Sequence, residues 1–123
     1  MTIRDIITWL SACPVLAGEA LNPNYLPAHK GWSLTVDKQS VRTDILGNRS
    51  TVQRVKVTRR VTVPDSAARL AVFDRLEDLA AWAKENPPPD GTVRITGLPE
   101  FSSRASSGTE DFSVTFTLVS DEL

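Results

Sequence analysis

With 123 residues, 41% of them hydrophobic, the chain has the length of one domain and enough apolar content to build a core. Its 14 basic and 15 acidic residues give a net charge of -1, without the basic excess of a dedicated nucleic-acid binder, although a local basic patch is still allowed. One cysteine, Cys13, excludes an intrachain disulfide and fits a reducing compartment; no run approaches the ~18 apolar residues of a membrane span, and the start Met1-Thr2-Ile3-Arg4-Asp5 makes a poor signal peptide.

Residues 2–13 predict a short helix, because Ile3, Ile6, Ile7 and Leu10 recur at helical spacing. Thr2 and Asp5 are placed as a capping box, and Pro14 stops the helix. Residues 14–30 hold Pro14, Pro23 and Pro27 and the lone histidine, His29; they predict an irregular, fairly apolar arm. A short strand is expected over Gly31–Val36, with Trp32, Leu34 and Val36 on one face, and another over Val41–Leu46. Gly47-Asn48 then reads as a two-residue hairpin turn.

The next strand is expected over Ser50–Val63 and contains "VQRVKVTRRVTV". Val55, Val57, Val61 and Val63 share one face, which should lie against helices; Arg54, Lys56, Thr58, Arg60 and Thr62 share the other. Val52 and Arg59 break the alternation. Arg59 marks a bulge, a strand end beyond the core, or an ion pair. The basic face is either solvated or, together with Arg42, a surface shared in an assembly or facing a channel. DNA binding by a monomer is disfavoured, since aromatics do not interleave with the charges.

Asp65 is a natural N-cap for a helix over 66–86. Its apolar stripe is Leu70, Phe73, Leu76, Ala80 and Ala83, widened by Leu79 and Trp82, and Pro87-Pro88-Pro89 ends it. Asp90-Gly91 turns into a strand over Thr92–Thr96. Residues 97–110, "GLPEFSSRASSGTE", predict a mobile loop in which Phe101, Ser102, Ser103, Arg104, Ser106 and Ser107 become ordered against a partner. Glu110-Asp111 read as turn residues. "DFSVTFTLV" then alternates: Phe112, Val114, Phe116 and Leu118 should pack on Leu70, Phe73 and Leu76. The order predicts one α+β domain over 1–123, a single twisted, mainly antiparallel (mixed) sheet with two helices on one face.

Little in the chain carries chemistry. Cys13 and His29 read as a packed thiol and a surface imidazole rather than a catalytic pair. No Cys, His or carboxylate cluster has metal-ligand spacing, and the six glycines form no phosphate cradle, so no cofactor is expected. Glu77-Asp78 are adjacent on a helix and cannot face each other. Trp9, Trp32 and Trp82 lie on apolar faces and read as core or interface.

The hairpin "VRTDILGNRSTVQRVKV", the helix "RLAVFDRLEDLAAWAKEN" and the closing "GLPEFSSRASSGTEDFSVTFTLV" occur in an order that resembles the minor capsid and tail terminator proteins of long-tailed phages. Leu98-Pro99 and Gly108–Val119 match that family's Leu-Pro motif and its "G-T-x-D-Y-x-V-x-F-x-L-V" ending; the likeness spans residues 31–119. Phe112 stands where the family often has tyrosine, and Gly47-Asn48 where it has Asp-Gly. The resemblance implies a structural virion protein with no active site. It also implies a homo-oligomeric ring, hexameric by expectation, that caps the major tail tube protein and meets a head-side neck protein, with transient DNA passage through its channel. A head-completion or neck connector is the nearest alternative, and a small nucleic-acid or ligand binding module the more distant one.

Overall fold

The Thr2 side chain accepts a hydrogen bond from the Asp5 amide and the Asp5 carboxylate accepts one from Thr2, closing the expected capping box. In the computed structural model, which describes residues 2–27, 30–89, 91–106 and 109–121 (without the side chains of 37, 38, 103–106 and 121), this starts helix α1, Ile3–Leu10. The helix is shorter than residues 2–13: Ser11 turns back onto Ile7 O through both its amide and its hydroxyl. A 3-10 turn, Pro14–Leu16, follows. The arm after it is less irregular than expected, because Leu21–Pro23 forms a strand, β1, parallel to the next. His29 lies outside the described residues.

One long strand, β2 (Gly31–Thr43), replaces the two short ones expected. The two were separated by the polar run Asp37-Lys38-Gln39-Ser40, which broke the apolar alternation, yet all of β2 pairs with β3 (Arg49–Thr62) apart from a bulge between Val36 and Lys38. Their turn also differs. It has three residues, Ile45, Leu46 and Gly47, with the Gly47 amide donating to Asp44 O at 3.1 Å and Gly47 at φ 84°. Glycine is therefore the last turn residue, where a left-handed conformation is needed, and not the first of a two-residue turn.

Asp65 caps helix α2 (Ser66–Glu85) by accepting from the Ala68 amide at 2.8 Å. Strands β4 (Gly91–Ile95) and β5 (Glu100–Ser106) follow, then β6 (Thr109–Asp121). The sheet order is β1-β2-β3-β6-β4, with β5 also on β6. β4 pairs with residues 116–120 of β6 and β5 with 109–113, so together they make one edge strand interrupted at 96–99. The fold is thus α+β, a mixed but mainly antiparallel sheet with the helices on one face.

The helix-side face forms the core. Val55 and Val57 pair with Phe116 and Val114, and all four are buried with Phe112 and Leu118. Phe73 meets Phe112 edge-on at 5.2 Å, and Trp9 of α1 meets Phe116 edge-on at 6.1 Å and Trp82 at the same distance. The Trp9 indole N–H finds a partner in Asn86 O at 2.7 Å, so α1 is tied to the end of α2. Fully burying each of these large apolar side chains contributes roughly 1.5–3 kcal/mol. Leu70 is the exception in the expected stripe. It is 63% exposed, and Val72 occupies the inner side of that turn.

Candidate functional site on the open face of the sheet

Strand pairing fixes which side chains share the face that the helices leave open. Arg54 of β3 lies beside Thr117 of β6, which lies beside Arg94 of β4. One row along, Lys56 lies beside Thr115. Adjacent strands are ~4.8 Å apart, which puts Arg54 and Arg94 about 10 Å apart at the backbone. Two threonine hydroxyl positions thus sit within a frame of three cations. The interruption at 96–99 walls one side, and the Thr96 hydroxyl donates to Thr115 O at 3.1 Å. The resulting groove of about 680 Å³ is lined by Arg54, Lys56, Leu98, Glu100, Ser113 and the threonines 96, 115 and 117, with Gly97. Among the described residues Glu100 is the one acid in that lining.

Arg42 lies on the same face by register, since it pairs with Ser50 beyond the bulge. It lines a smaller recess of about 250 Å³ at the hairpin end with Asp44, Asn48 and Arg49.

Arg60 does not belong with these cations. Its Nε and Nη2 donate to the two Asp111 carboxylate oxygens at 2.8 and 2.9 Å, and Nη1 donates to Pro27 O at 3.2 Å. The Asp111 side chain is 6% exposed, so this is an internal clamp, and the carboxylate holds the guanidinium pKa above its usual value. Glu110, on the other face, accepts from Arg69 of α2 at 3.0 and 3.2 Å. Glu110 and Asp111 are therefore buried anchors of β6, and reading them as turn residues is corrected.

The expected loop is corrected likewise. Phe101 and Ser102 belong to β5: Phe101 packs edge-on against Phe112 at 5.9 Å, and the Ser102 and Ser113 hydroxyls are 2.6 Å apart. Ser103, Arg104 and Ser106 pair with Asp111, Glu110 and Thr109 through the backbone. Ser107 lies outside the described residues. Serine-rich composition hid an edge strand because β6 supplies the template and its apolar face.

Arg59, the pattern breaker, faces the helices. It forms an ion pair with Glu19 at 3.5 Å and stacks over Trp32. Arg75 approaches the same ring at 5.9 Å and Glu19 at 3.8 Å, while the Trp32 indole N–H donates to Glu19. Burial pushes the Arg59 pKa down, and Glu19 partly offsets this.

The hairpin tip presents the opposite chemistry. Ile45 is 101% exposed and Leu46 is 82% exposed. Beneath them Asp44 Oδ1 accepts from the amides of Leu46 and Asn48, both at 2.9 Å, and Oδ2 accepts from Asn48 Nδ2 at 3.1 Å. The Asn48 amide first, then its side chain, holds the Asp44 carboxyl below its usual range.

Arg94 and the apolar tip are the residues that sequence reading passed over. Both had a signal: Val93 and Ile95 flank Arg94 in strict alternation, and "IL" occupies turn positions where polar residues are usual. Among the described residues no group of three or more His, Cys, Asp or Glu is placed to hold a metal ion, and no helix is long and apolar enough to cross a membrane. No protein-family model and no curated protein matches the chain.

Proposed function

We propose that the chain is a structural subunit that self-assembles into a ring of the phage tail terminator kind, closing a tail tube and presenting a face to a head-side neck protein in the virion. The observation that carries the reading is the hairpin tip. Two large apolar residues stand in water on a turn braced by five internal hydrogen bonds. Such a knob is preorganised for burial against another surface, which lowers the entropic cost of docking. Repeated head-to-tail contacts between copies close into rings when the rotation allows.

The test is the double substitution Ile45→Ser with Leu46→Ser. The monomer's unfolding midpoint should not move, because neither side chain is in the core. Rings visible by electron microscopy in the wild-type protein should be lost. A wild-type protein that stays monomeric at high concentration, alone and with tail tube protein, would remove the basis for the reading.

A further inference from the structure

We infer that Arg59 and Arg75 form a binding site for a small monocarboxylate, in the cavity that they share with Trp32 between the sheet and α2. The inference uses neither the hairpin tip nor the open face of the sheet, so it stands apart from ring assembly.

The cavity has a volume of about 140 Å³ and is lined by Trp32, Arg59, Val61, Ala71, Val72 and Arg75. Among the described residues its lining holds two cations and no acid. Both guanidiniums lie against the Trp32 ring, Arg59 at 4.9 Å and Arg75 at 5.9 Å from its centre. Both also approach one carboxylate, that of Glu19, which is not part of this lining. Two cations that reach the same carboxylate are close enough to share a second one.

The local charge leaves room for it. Asp74 and Asp78 neighbour Arg75 on α2, yet among the described residues Glu19 is the carboxylate that pairs with either guanidinium. One negative charge thus faces two positive ones. Burial pushes the Arg59 pKa down, Glu19 opposes this, and Arg75 adds to it. A second anion between the two arginines would relieve that repulsion.

Hydrogen-bonding capacity is left over as well. Arg75 donates to Val15 O at 2.8 Å. The contacts to Glu19 are 3.5 Å from Arg59 and 3.8 Å from Arg75, longer than the ~2.7–2.9 Å of a charge-assisted hydrogen bond. The Arg60–Asp111 pair, at 2.8 and 2.9 Å, shows the same fork filled. Among the described residues no oxygen accepts a hydrogen bond from the Arg59 guanidinium, although Arg59 is 6% exposed. A buried polar group of that kind, bordering a cavity, is a site for an oxyanion.

The rest of the lining selects the ligand. Trp32, Val61, Ala71 and Val72 offer apolar walls. A phosphate would lose water to them without replacement, whereas a carboxylate on a short alkyl stem sets its charge on the guanidiniums and its stem on the walls. A water takes up roughly 30 Å³ of liquid, so the cavity suits an acid of a few carbons.

The experiment is isothermal titration calorimetry of the full chain with sodium butyrate at constant ionic strength, with inorganic phosphate as the comparison anion. It compares wild type, Arg75→Gln, Ala71→Leu and Glu19→Gln. Wild type should bind butyrate saturably, with Kd on the order of 1 mM for so small a ligand. Arg75→Gln removes one donor from a half-exposed position and should weaken binding about tenfold. Ala71→Leu leaves both arginines in place and fills the cavity from an exposed helix position, with the same loss. Glu19→Gln removes the competing carboxylate and should tighten binding. Should Arg75→Gln be misfolded by circular dichroism, Ala71→Leu carries the test. No saturable butyrate binding by wild type would overturn the inference, as would undiminished affinity in Ala71→Leu, weaker binding in Glu19→Gln, or phosphate binding more tightly than butyrate.

Discussion

The guanidinium of Arg59 lies 4.9 Å from the centre of the Trp32 ring, on the side of the sheet covered by the helices. An arginine that is 6% exposed is a liability unless its charge and its planar face are both matched. Glu19 matches the charge and Trp32 the face, and Arg75 and Val15 O draw α2 onto the same segment. Arg59→Ala should therefore destabilise by about 2 kcal/mol, combining the lost cation–π contact with loss of the stem's packing. Arg59→Lys should recover only part, since an ammonium cannot lie flat on the indole. Urea midpoints of the two variants against wild type check this; a lysine variant as stable as wild type would mean that only charge matters.

Phe73 and Leu70 separate the true inner face of α2 from the apparent one. Phe73 is partly buried and edge-on to Phe112, so Phe73→Ala should cost about 2–4 kcal/mol. Leu70→Ala, at a site 63% exposed, should change stability by less than ~0.5 kcal/mol. Thermal or urea denaturation of both variants decides the matter.

The Arg60–Asp111 clamp makes a sharper contrast. Arg60→Ala should destabilise by roughly 2–4 kcal/mol, because the Asp111 carboxylate would stay buried without its bidentate partner. Adding Asp111→Asn should restore part of that loss, since a neutral amide is easier to leave in place. A double-mutant cycle showing no coupling would assign the clamp no net role.

Asp44 supplies the pH dependence. Its folded-state pKa lies below the ordinary aspartate value of 3.8, so the carboxylate form is the one the turn favours. Stability from this group is complete above that unfolded value and is lost as pH falls through the folded pKa. Amide exchange at Leu46 and Asn48 should accelerate below about pH 4 relative to the rest of β2 and β3, and Asp44→Asn should blunt the change. Uniform protection down to that pH would show that the turn does not need the carboxylate.

Much of the fold was legible because periodicity reports burial directly. Phe112, Val114, Phe116 and Leu118 alternate in sequence and are all buried. Asp65 and Thr2 cap as their types suggest. What stayed hidden depended on partners distant in sequence. β5 is a strand only because β6 lies beside it, and Arg59, which alternation puts on the inner face, is matched there by Glu19 and Trp32. The basic face was half legible. Arg54 and Lys56 were placed correctly by alternation, Arg60 was placed on the right face, and nothing in its own strand revealed Asp111 as its partner.

The bulge between Val36 and Lys38 implies an unusual tolerance in chain length. Residue 37 is a spare link: Val36 already pairs with Val55 and Lys38 with Arg54, the next residue along β3. Excising residue 37 would let β2 run straight with every existing pair kept and each side chain on its present face. Removing Thr35 instead would drive Val36 out of the core side or break pairing. The hairpin arm can therefore be shortened by one residue at this point alone without reversing what it presents to either side.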